Sequence, residues 1–251
     1  MPEQWELDTN DARSADQITN YIIFCEDEVS EPYYFSSFQV SDILRINAIP
    51  NQKQSKLNLD NTIAHCKSNG LIEFKKDSYQ VKEPRNENIW CVYDRDMEHE
   101  VFAQIRQSQH VAFDTAIVAA NNAGINVAWS NDAFELWVLL HFETVPTENM
   151  LHRTYFYNRL TEIFKSLHPD SEEYQRVASN PNFEYKSTLK KRSLFIRFVL
   201  PILRANTETA MANAIELENN FNNDTEFHLR NPCTMVHHLV EKLLPFQTNI
   251  L

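Results

Sequence analysis

Glycine is almost missing from this 251-residue chain: only Gly70 and Gly124 occur. A dinucleotide-binding fingerprint and a P-loop each need several glycines in one turn, so both are excluded, and with them a Walker-type ATP site. The four cysteines (Cys25, Cys66, Cys91 and Cys233) lie far apart and show no CxxC or Cys/His ligand spacing. That argues against a zinc site and for inert thiols in a reducing cytoplasm. Positive charge is short as well: 23 Lys and Arg stand against 35 Asp and Glu, a formal net charge of −12. Such a balance disfavours broad, non-specific coating of nucleic acid. Long apolar runs are missing too. The longest, Leu194 to Leu203, is interrupted by Arg197 and Pro201 and falls far short of the ~20 residues that span a bilayer. The N-terminus has no basic-then-apolar leader pattern, so neither export nor a membrane anchor is expected.

What is present fits a folded domain. Hydrophobic residues make up 43%, aromatics 12% and charged residues 23%, which excludes disordered and low-complexity classes. A chain of this length buries roughly 70–75% of its unfolded surface without staples. The acid is concentrated at the front: residues 1–34 hold nine Asp and Glu against Arg13 alone. By contrast 186–204 holds Lys186, Lys190, Lys191, Arg192, Arg197 and Arg204 with no acid. One local phosphate-facing surface is therefore compatible with the negative total.

Three short apolar runs read as strands buried on both faces: Tyr21–Cys25, Asn88–Tyr93 and Ile125–Trp129. Helices are expected over 31–47, up to Ser68, over 98–107, over 110–123 closed by Gly124 as C′ residue, and over 132–142. Leu71–Phe74 reads as an edge strand. From 149 onward only helices are expected, at 150–167, 171–178, 187–204, 206–221 and 232–244. The order predicts an α/β fold: a mostly parallel sheet flanked by helices, with a C-terminal helical lobe. The expected organisation is an acidic N-terminal segment (1–18), an α/β core (19–145) and a helical lobe (146–251) packing back on the core.

In parallel α/β sheets, chemistry collects at the carboxyl ends of strands. Glu26 directly follows the first strand, and Asp94 and Asp96 close the second. In extended chain, residues i and i+2 face one side. Two carboxylates about 5 Å apart repel by roughly 3 kcal/mol at an effective dielectric of 20, and protonation or a cation relieves that. An all-oxygen cluster favours Mg²⁺ or Mn²⁺. Taken alone, a DxD is often just a solvated strand end. Together with Glu26 it fits three chemistries: a haloacid-dehalogenase-type phosphatase, a nucleotide-sugar transferase, and a Toprim centre for metal-assisted phosphodiester chemistry.

Several segments resemble one family in order along about 20–245. Cys25-Glu26-Asp27-Glu28-Val29-Ser30-Glu31-Pro32-Tyr33-Tyr34-Phe35 resembles the RloB-like opening E-G-x-x-T-E-x-x-Y-F, and Val92-Tyr93-Asp94-Arg95-Asp96 its strand-DxD. Ser130-Asn131-Asp132-Ala133-Phe134-Glu135-Leu136-Trp137 through His141-Phe142 resembles S-N-P-x-F-E-x-W-x-L-L-H-F and is the most specific match. Tyr185-Lys186-Ser187 is loosely similar to a Y-x-K region, and Asn231-Pro232-Cys233-Thr234 resembles N-P-x-T. The resemblance implies a Toprim-like α/β core and a metal-dependent nuclease that is a toxic effector in anti-phage abortive infection. It also implies an AAA/ABC-type ATPase partner (RloA-like). The chain departs at Asp27, where the family has Gly, and at Asp132, where it has Pro at a first-turn position.

The candidate site follows. Asp94 and Asp96 hold a metal on the scissile phosphate; Glu26 holds a second metal or serves as general base. Glu31 is either a further ligand or an ordinary first-turn acid. Asn131 reads as an N-cap or as site support, Glu135 as helix packing or site support, and His141 as a core histidine or site support. Lys186 is the candidate for stabilising charge at the reacting phosphate, and Lys190, Lys191 and Arg192 for binding the substrate, against a merely solvated helix face. His237-His238 shows no metal spacing and reads as structural. The competing class is a non-catalytic subunit docking on the ATPase, its acids remnants. DNA and RNA, tRNA included, both remain open as substrate, as does a homo-oligomer.

Overall fold

Strand β1 (Thr19–Cys25) shows why its sequence is apolar from Tyr21 to Cys25. Tyr21, Ile23 and Cys25 feed one buried core, and Phe24 feeds a second core on the opposite face. Strands β5 (Glu87–Asp94) and β6 (Asn126–Asn131) repeat the pattern. Trp90, Val92 and Ala128 point to the first core, and Ile89, Cys91, Tyr93 and Trp129 to the second. A two-residue period with both faces covered requires hydrophobic residues at every position. The computed structural model describes residues 18–40, 42–50, 58–75, 77–82, 87–167 and 171–247. The acidic segment 1–18 therefore lies outside the described residues except for Ile18.

The fold is a Toprim-like α/β arrangement: a five-stranded sheet in the order β2-β1-β5-β6-β7, flanked by helices. Strand β2 (Leu44–Pro50) pairs parallel to β1, β1 to β5 and β5 to β6; β7 (Cys233–Thr234) closes the edge antiparallel to β6. Helices α1 (Ser30–Ser36), α2 (Asn58–Ser68) and α3 (Gln107–Asn122) belong to the first half of the chain. Strands β3 (Ile72–Lys75) and β4 (Ser78–Val81) form a separate antiparallel pair. After β6 come α4 (Glu135–Leu140), α5 (Arg153–Ser166) and α6 (Glu172–Ala178). A π-helical turn (Tyr185–Leu189), α7 (Arg192–Leu194), a second π-helical turn (Phe195–Val199) and α8 (Leu200–Ala205) follow. Helices α9 (Thr207–Asn219) and α10 (Val236–Leu243) flank β7 in the sequence.

The first core joins the sheet to the C-terminal helices: Ile23, Tyr34, Trp137, Phe156, Tyr185, Phe195, Ala214 and Leu239 belong to one buried cluster. The second lies under α2 and α3, with Leu59, Phe113 and Ile117 against Cys91 and Trp129. All four cysteines are buried and unbridged. Gly124 has φ +78 at the C′ position of α3, where Ile125 N–H donates to Ala120 O at 3.0 Å. No helix among the described residues is long and apolar enough to cross a membrane.

Several expected elements are redrawn. The helix expected over 31–47 stops at Ser36, and Leu44–Pro50 is instead an edge strand whose Leu44 and Ile46 alternate with exposed Arg45 and Asn47. Over 98–107 only a 3₁₀ turn forms (Phe102–Gln104). Leu71–Phe74 contributes to the β3–β4 pair rather than to the main sheet. The single helix expected over 187–204 is broken by two π-helical turns. The run of helices after 149 is interrupted by β7, which two residues of sequence cannot signal.

Candidate functional site: an acidic pocket at the strand ends

Parallel pairing brings the acids together. Phe24 stands opposite Cys91 and Asp94 opposite Ser130, so the chain leaving β1 at Glu26 and the end of β5 emerge side by side. A pocket of about 290 Å³ opens there, lined by Glu26, Asp27, Asp94, Asp96, Ala133, Glu135, Tyr157 and Lys190.

Asp94 accepts the Phe134 N–H on Oδ2 at 3.0 Å, while its buried Oδ1 has no hydrogen-bond partner. Burial, then the charges of Asp96 and Glu135, push its pKa well above the usual carboxylate range. Asp96 reaches the pocket by another route than extended chain. It has φ +52, a left-handed conformation that Asp tolerates better than most residues. Its N–H donates to Asp132 O at 3.1 Å, and its carboxylate is ion-paired with Arg153. Glu26 lines the pocket, and its backbone N–H donates to Oε2 of Glu31 at 2.6 Å.

Glu31 is 1% exposed and does not line the pocket. Burial, then Asp27, Asp94 and Glu26, raise its pKa well above the usual range. Its carboxylate accepts the Glu26 backbone N–H instead of lining the cavity. Asp27 accepts the N–H groups of Val29, Ser30 and Glu31 at 3.0–3.1 Å, capping the start of α1. Its φ is not positive, so the family's glycine is not needed here for a left-handed turn.

Glu135, in the first turn of α4, is 2% exposed and meets the Lys190 ammonium at 2.6 Å through Oε1. Lys190 Nζ also lies 3.5 Å from Asp27 Oδ2. Burial alone lowers a lysine pKa, but Glu135 and Asp27 outweigh it and hold Lys190 charged. The basic stretch thus divides. Lys190 enters the pocket. Exposed Lys186 sits 5.0 Å over the Tyr157 ring and lines a neighbouring groove of about 670 Å³ that shares Tyr157 and includes Lys165 and Asn158. Lys191 is exposed, Arg192 stacks over Tyr33 at 5.0 Å, Arg197 pairs with Glu173 and Arg204 covers Phe38 at 3.8 Å. Lys190, Arg197 and Arg204 therefore do not form one basic face.

Asn131 is no N-cap: α4 begins at Glu135 without a side-chain cap. Buried Asn131 instead accepts from Arg95 and Asn231 on Oδ1 at 3.1 and 2.9 Å and donates to Arg230 O at 2.9 Å and His228 O at 3.2 Å. It ties the 228–231 segment to the end of β6. Asp132 lies before α4 rather than in its first turn. Its buried carboxylate accepts the N–H groups of Met97 at 2.6 Å and Arg153 at 2.9 Å. His141 does not line the pocket. It is buried between Trp137 O at 2.8 Å and the Tyr34 hydroxyl at 3.3 Å, and burial lowers its pKa to about 4, so it is a neutral core histidine.

Sequence reasoning missed Arg153 and Tyr157. Both lie on α5, some sixty residues beyond Asp94, and no local motif marks them. Arg153 pairs with Asp96, lies 3.6 Å from Asp132 Oδ2 and donates to Met97 O at 2.7 Å.

The family model for RloB-like protein matches residues 21–243. The chain belongs to the RloB-like family. The match covers all the pocket residues, from Glu26 to Lys190. No curated protein and no solved structure matches the chain.

The donor set of this RloB-like pocket suits a hard divalent cation in chemistry: every carboxylate is an oxygen donor, and Asp94 Oδ1 is buried without a hydrogen bond. The acids do not, however, form a group of three with all ligand atoms within 4.8 Å; among the described residues only Glu218/His237/His238 and Asp114/Glu226/His228 do.

Proposed function

We propose that the chain is a metal-dependent phosphodiester hydrolase acting on nucleic acid, the nuclease effector of an anti-phage defence system that works with an RloA-like ATPase. The observation that carries this reading is the buried, raised-pKa Asp94 in a pocket shared with Glu26 and Asp96 at parallel strand ends. Perturbed carboxylates in a cleft at that position of an α/β sheet are a mark of function.

Glu26, Asp94 and Asp96 are the residues that would hold Mg²⁺ or Mn²⁺. When bound, such an ion supplies Lewis-acid charge stabilisation at a phosphate oxygen. The remaining work falls to the chain. Lys190, rather than Lys186, is the cation that neutralises the phosphate in the pocket, since its ammonium lies among the acids. Glu26, where it does not hold an ion, accepts the proton of the attacking water. Lys186 and Lys165 bind the flanking backbone along the groove beyond Tyr157. The expected setting is the cytoplasm.

The test has two arms. Purified protein with its ATPase is incubated with RNA and DNA in Mn²⁺ or EDTA, and nucleic acids from cells are sequenced after induced expression with the trigger. Cleavage in Mn²⁺, absent with Glu26→Gln while complex formation survives, is expected. Undiminished toxicity of Glu26→Gln would exclude Glu26 as an essential acid. One observation favours the second reading, a non-catalytic docking subunit: Lys190 pairs with Glu135 and Asp27, which offsets part of the negative charge that would draw a cation into the pocket. On that reading Glu26→Gln and Asp94→Asn both keep full activity in the assembled system.

A further inference from the structure

Glu218 lies in the last turn of α9, and His237 and His238 lie in the first turn of α10. Adjacent histidines carry no ligand spacing in the sequence, but the fold brings a carboxylate 19 residues away onto both rings. His237 Nε2 lies 2.8 Å from Glu218 Oε2, and His238 Nε2 lies 3.1 Å from Oε2 and 3.2 Å from Oε1. We propose that Glu218, His237 and His238 form a metal site, separate from the acidic strand-end pocket, for a borderline divalent ion of the Zn²⁺ class.

The hydrogen bonds of His237 make the case. Its Nδ1 lies 3.0 Å from Thr234 O, a carbonyl that only accepts, so Nδ1 carries the ring proton. Nε2 then presents a lone pair to a carboxylate oxygen, which also only accepts. That contact needs a second proton on a ring that is 2% exposed, or a cation between the two. A backbone carbonyl fixing Nδ1–H so that Nε2 faces outward is the usual support for a metal-binding histidine. The separations fit as well. All three ligand atoms lie within 4.8 Å of one another, and ligand bonds of 2.0–2.2 Å to tetrahedral Zn²⁺ put neighbouring donor atoms about 3.3 Å apart, so the nitrogen–oxygen pairs, now at 2.8–3.2 Å, need only spread by up to about half an ångström to admit the ion. The side chains of His238 and Glu218 are 45% and 34% exposed, which leaves room for water to complete the shell. Two imidazoles and one carboxylate select Zn²⁺, Co²⁺ or Ni²⁺ over Mg²⁺.

The other compact group carries less. His228 Nδ1 meets Asp114 Oδ2 at 2.6 Å, and its Nε2 reaches only exposed Glu226 at 3.7 Å. A simple N–H donor to a carboxylate explains that contact, with a single imidazole. In the Glu218 site the ion would join α9 to α10, which directly follows edge strand β7, and so fasten the helical segment to the sheet.

The test uses the full chain stripped with EDTA. Zn²⁺ is titrated calorimetrically and Co²⁺ by visible absorption, with wild type, His238→Ala, Glu218→Gln and Asp94→Asn. One equivalent of Zn²⁺, tetrahedral Co²⁺ bands and a rise in Tm are expected for wild type and for Asp94→Asn. His238→Ala and Glu218→Gln should each weaken Zn²⁺ binding by tenfold or more. Half-exposed His238 can be removed without unfolding the chain, which circular dichroism of the metal-free variant checks. Unchanged Zn²⁺ binding in His238→Ala would overturn the site. So would a His237 ring that NMR finds doubly protonated at neutral pH and unmoved by Zn²⁺, since an imidazolium–carboxylate pair would then explain the contact.

Discussion

The Lys190 ammonium sits 2.6 Å from the Glu135 carboxylate, which is all but sealed from water. Removing one partner of a buried ion pair leaves an uncompensated charge and costs about 3–5 kcal/mol, whereas removing both is often close to neutral. Lys190 is a quarter exposed, so the low end of that range applies. Lys190→Met should lower stability by roughly 3 kcal/mol, and Lys190→Met with Glu135→Gln should recover most of it. Urea unfolding of the two variants decides, and an equal loss in both would show that the pair is not the unit of stability.

Asp94 and Glu31 predict an unusual pH dependence. Burial, reinforced by neighbouring acids, raises both pKa values well above the usual range, so the folded chain keeps these protons to higher pH than the unfolded one. Between the unfolded value near 4 and the raised folded values, the native state binds more protons. Their contribution to stability is therefore full at the acid end of that window and is lost as pH rises through it. Asp94→Asn should raise Tm at pH 8 in EDTA and flatten the slope. Mn²⁺ favours the ionised form, so it should stabilise the wild type more at pH 8 than at pH 6, and Asp94→Asn less at either. Equal Mn²⁺ shifts in wild type and Asp94→Asn would remove Asp94 from the ligand set.

Asn131 separates two readings by magnitude. Losing an N-cap costs about 1 kcal/mol. Losing an amide that bonds Arg95, Asn231 and two backbone carbonyls leaves several buried groups unsatisfied, at roughly 1–3 kcal/mol each. Asn131→Ala should therefore cost on the order of 3 kcal/mol in chemical denaturation, and a loss near 1 would restore the capping role.

The pattern of what could be read follows from the same physics. Strands β1, β5 and β6 are covered on both faces, so their sequences are uninterrupted apolar runs and stand out. Strand β2 is an edge: Leu44 and Ile46 alternate with Arg45 and Asn47, and the run follows α1 closely enough to pass for its continuation. That Glu26 and Asp94 meet in one pocket follows from parallel strand ends, whereas Asp96 joins them through a left-handed backbone at φ +52 and not through the extended i, i+2 geometry expected of a DxD. Lys190 stood in the basic stretch, but its selection over Lys186 depends on a π-helical turn that no periodicity announces. Arg153 and Tyr157 arrive from α5 through tertiary packing alone, as Glu218 reaches His237 across 19 residues.

Arg153 bridges the exposed half of the DxD and a buried acid, and its two partners should respond differently. Asp96 is 57% exposed, so Asp96→Asn gives up a surface-type pair worth about 0–1 kcal/mol. Asp132 is fully buried and keeps two backbone N–H donors when Arg153 is lost, but its charge loses the nearest guanidinium. Arg153→Met should therefore cost about 2–3 kcal/mol, mostly through Asp132. The same substitution removes a positive charge beside the acidic pocket and frees the Asp96 carboxylate. If Asp96 is a metal ligand, Mn²⁺ should bind Arg153→Met more tightly than wild type and Asp96→Asn more weakly, measured calorimetrically on folded protein. Weaker Mn²⁺ binding by Arg153→Met would mean that the guanidinium orients Asp96 for the ion rather than competing with it. Unchanged binding by Asp96→Asn would leave Glu26 and Asp94 as the ligands.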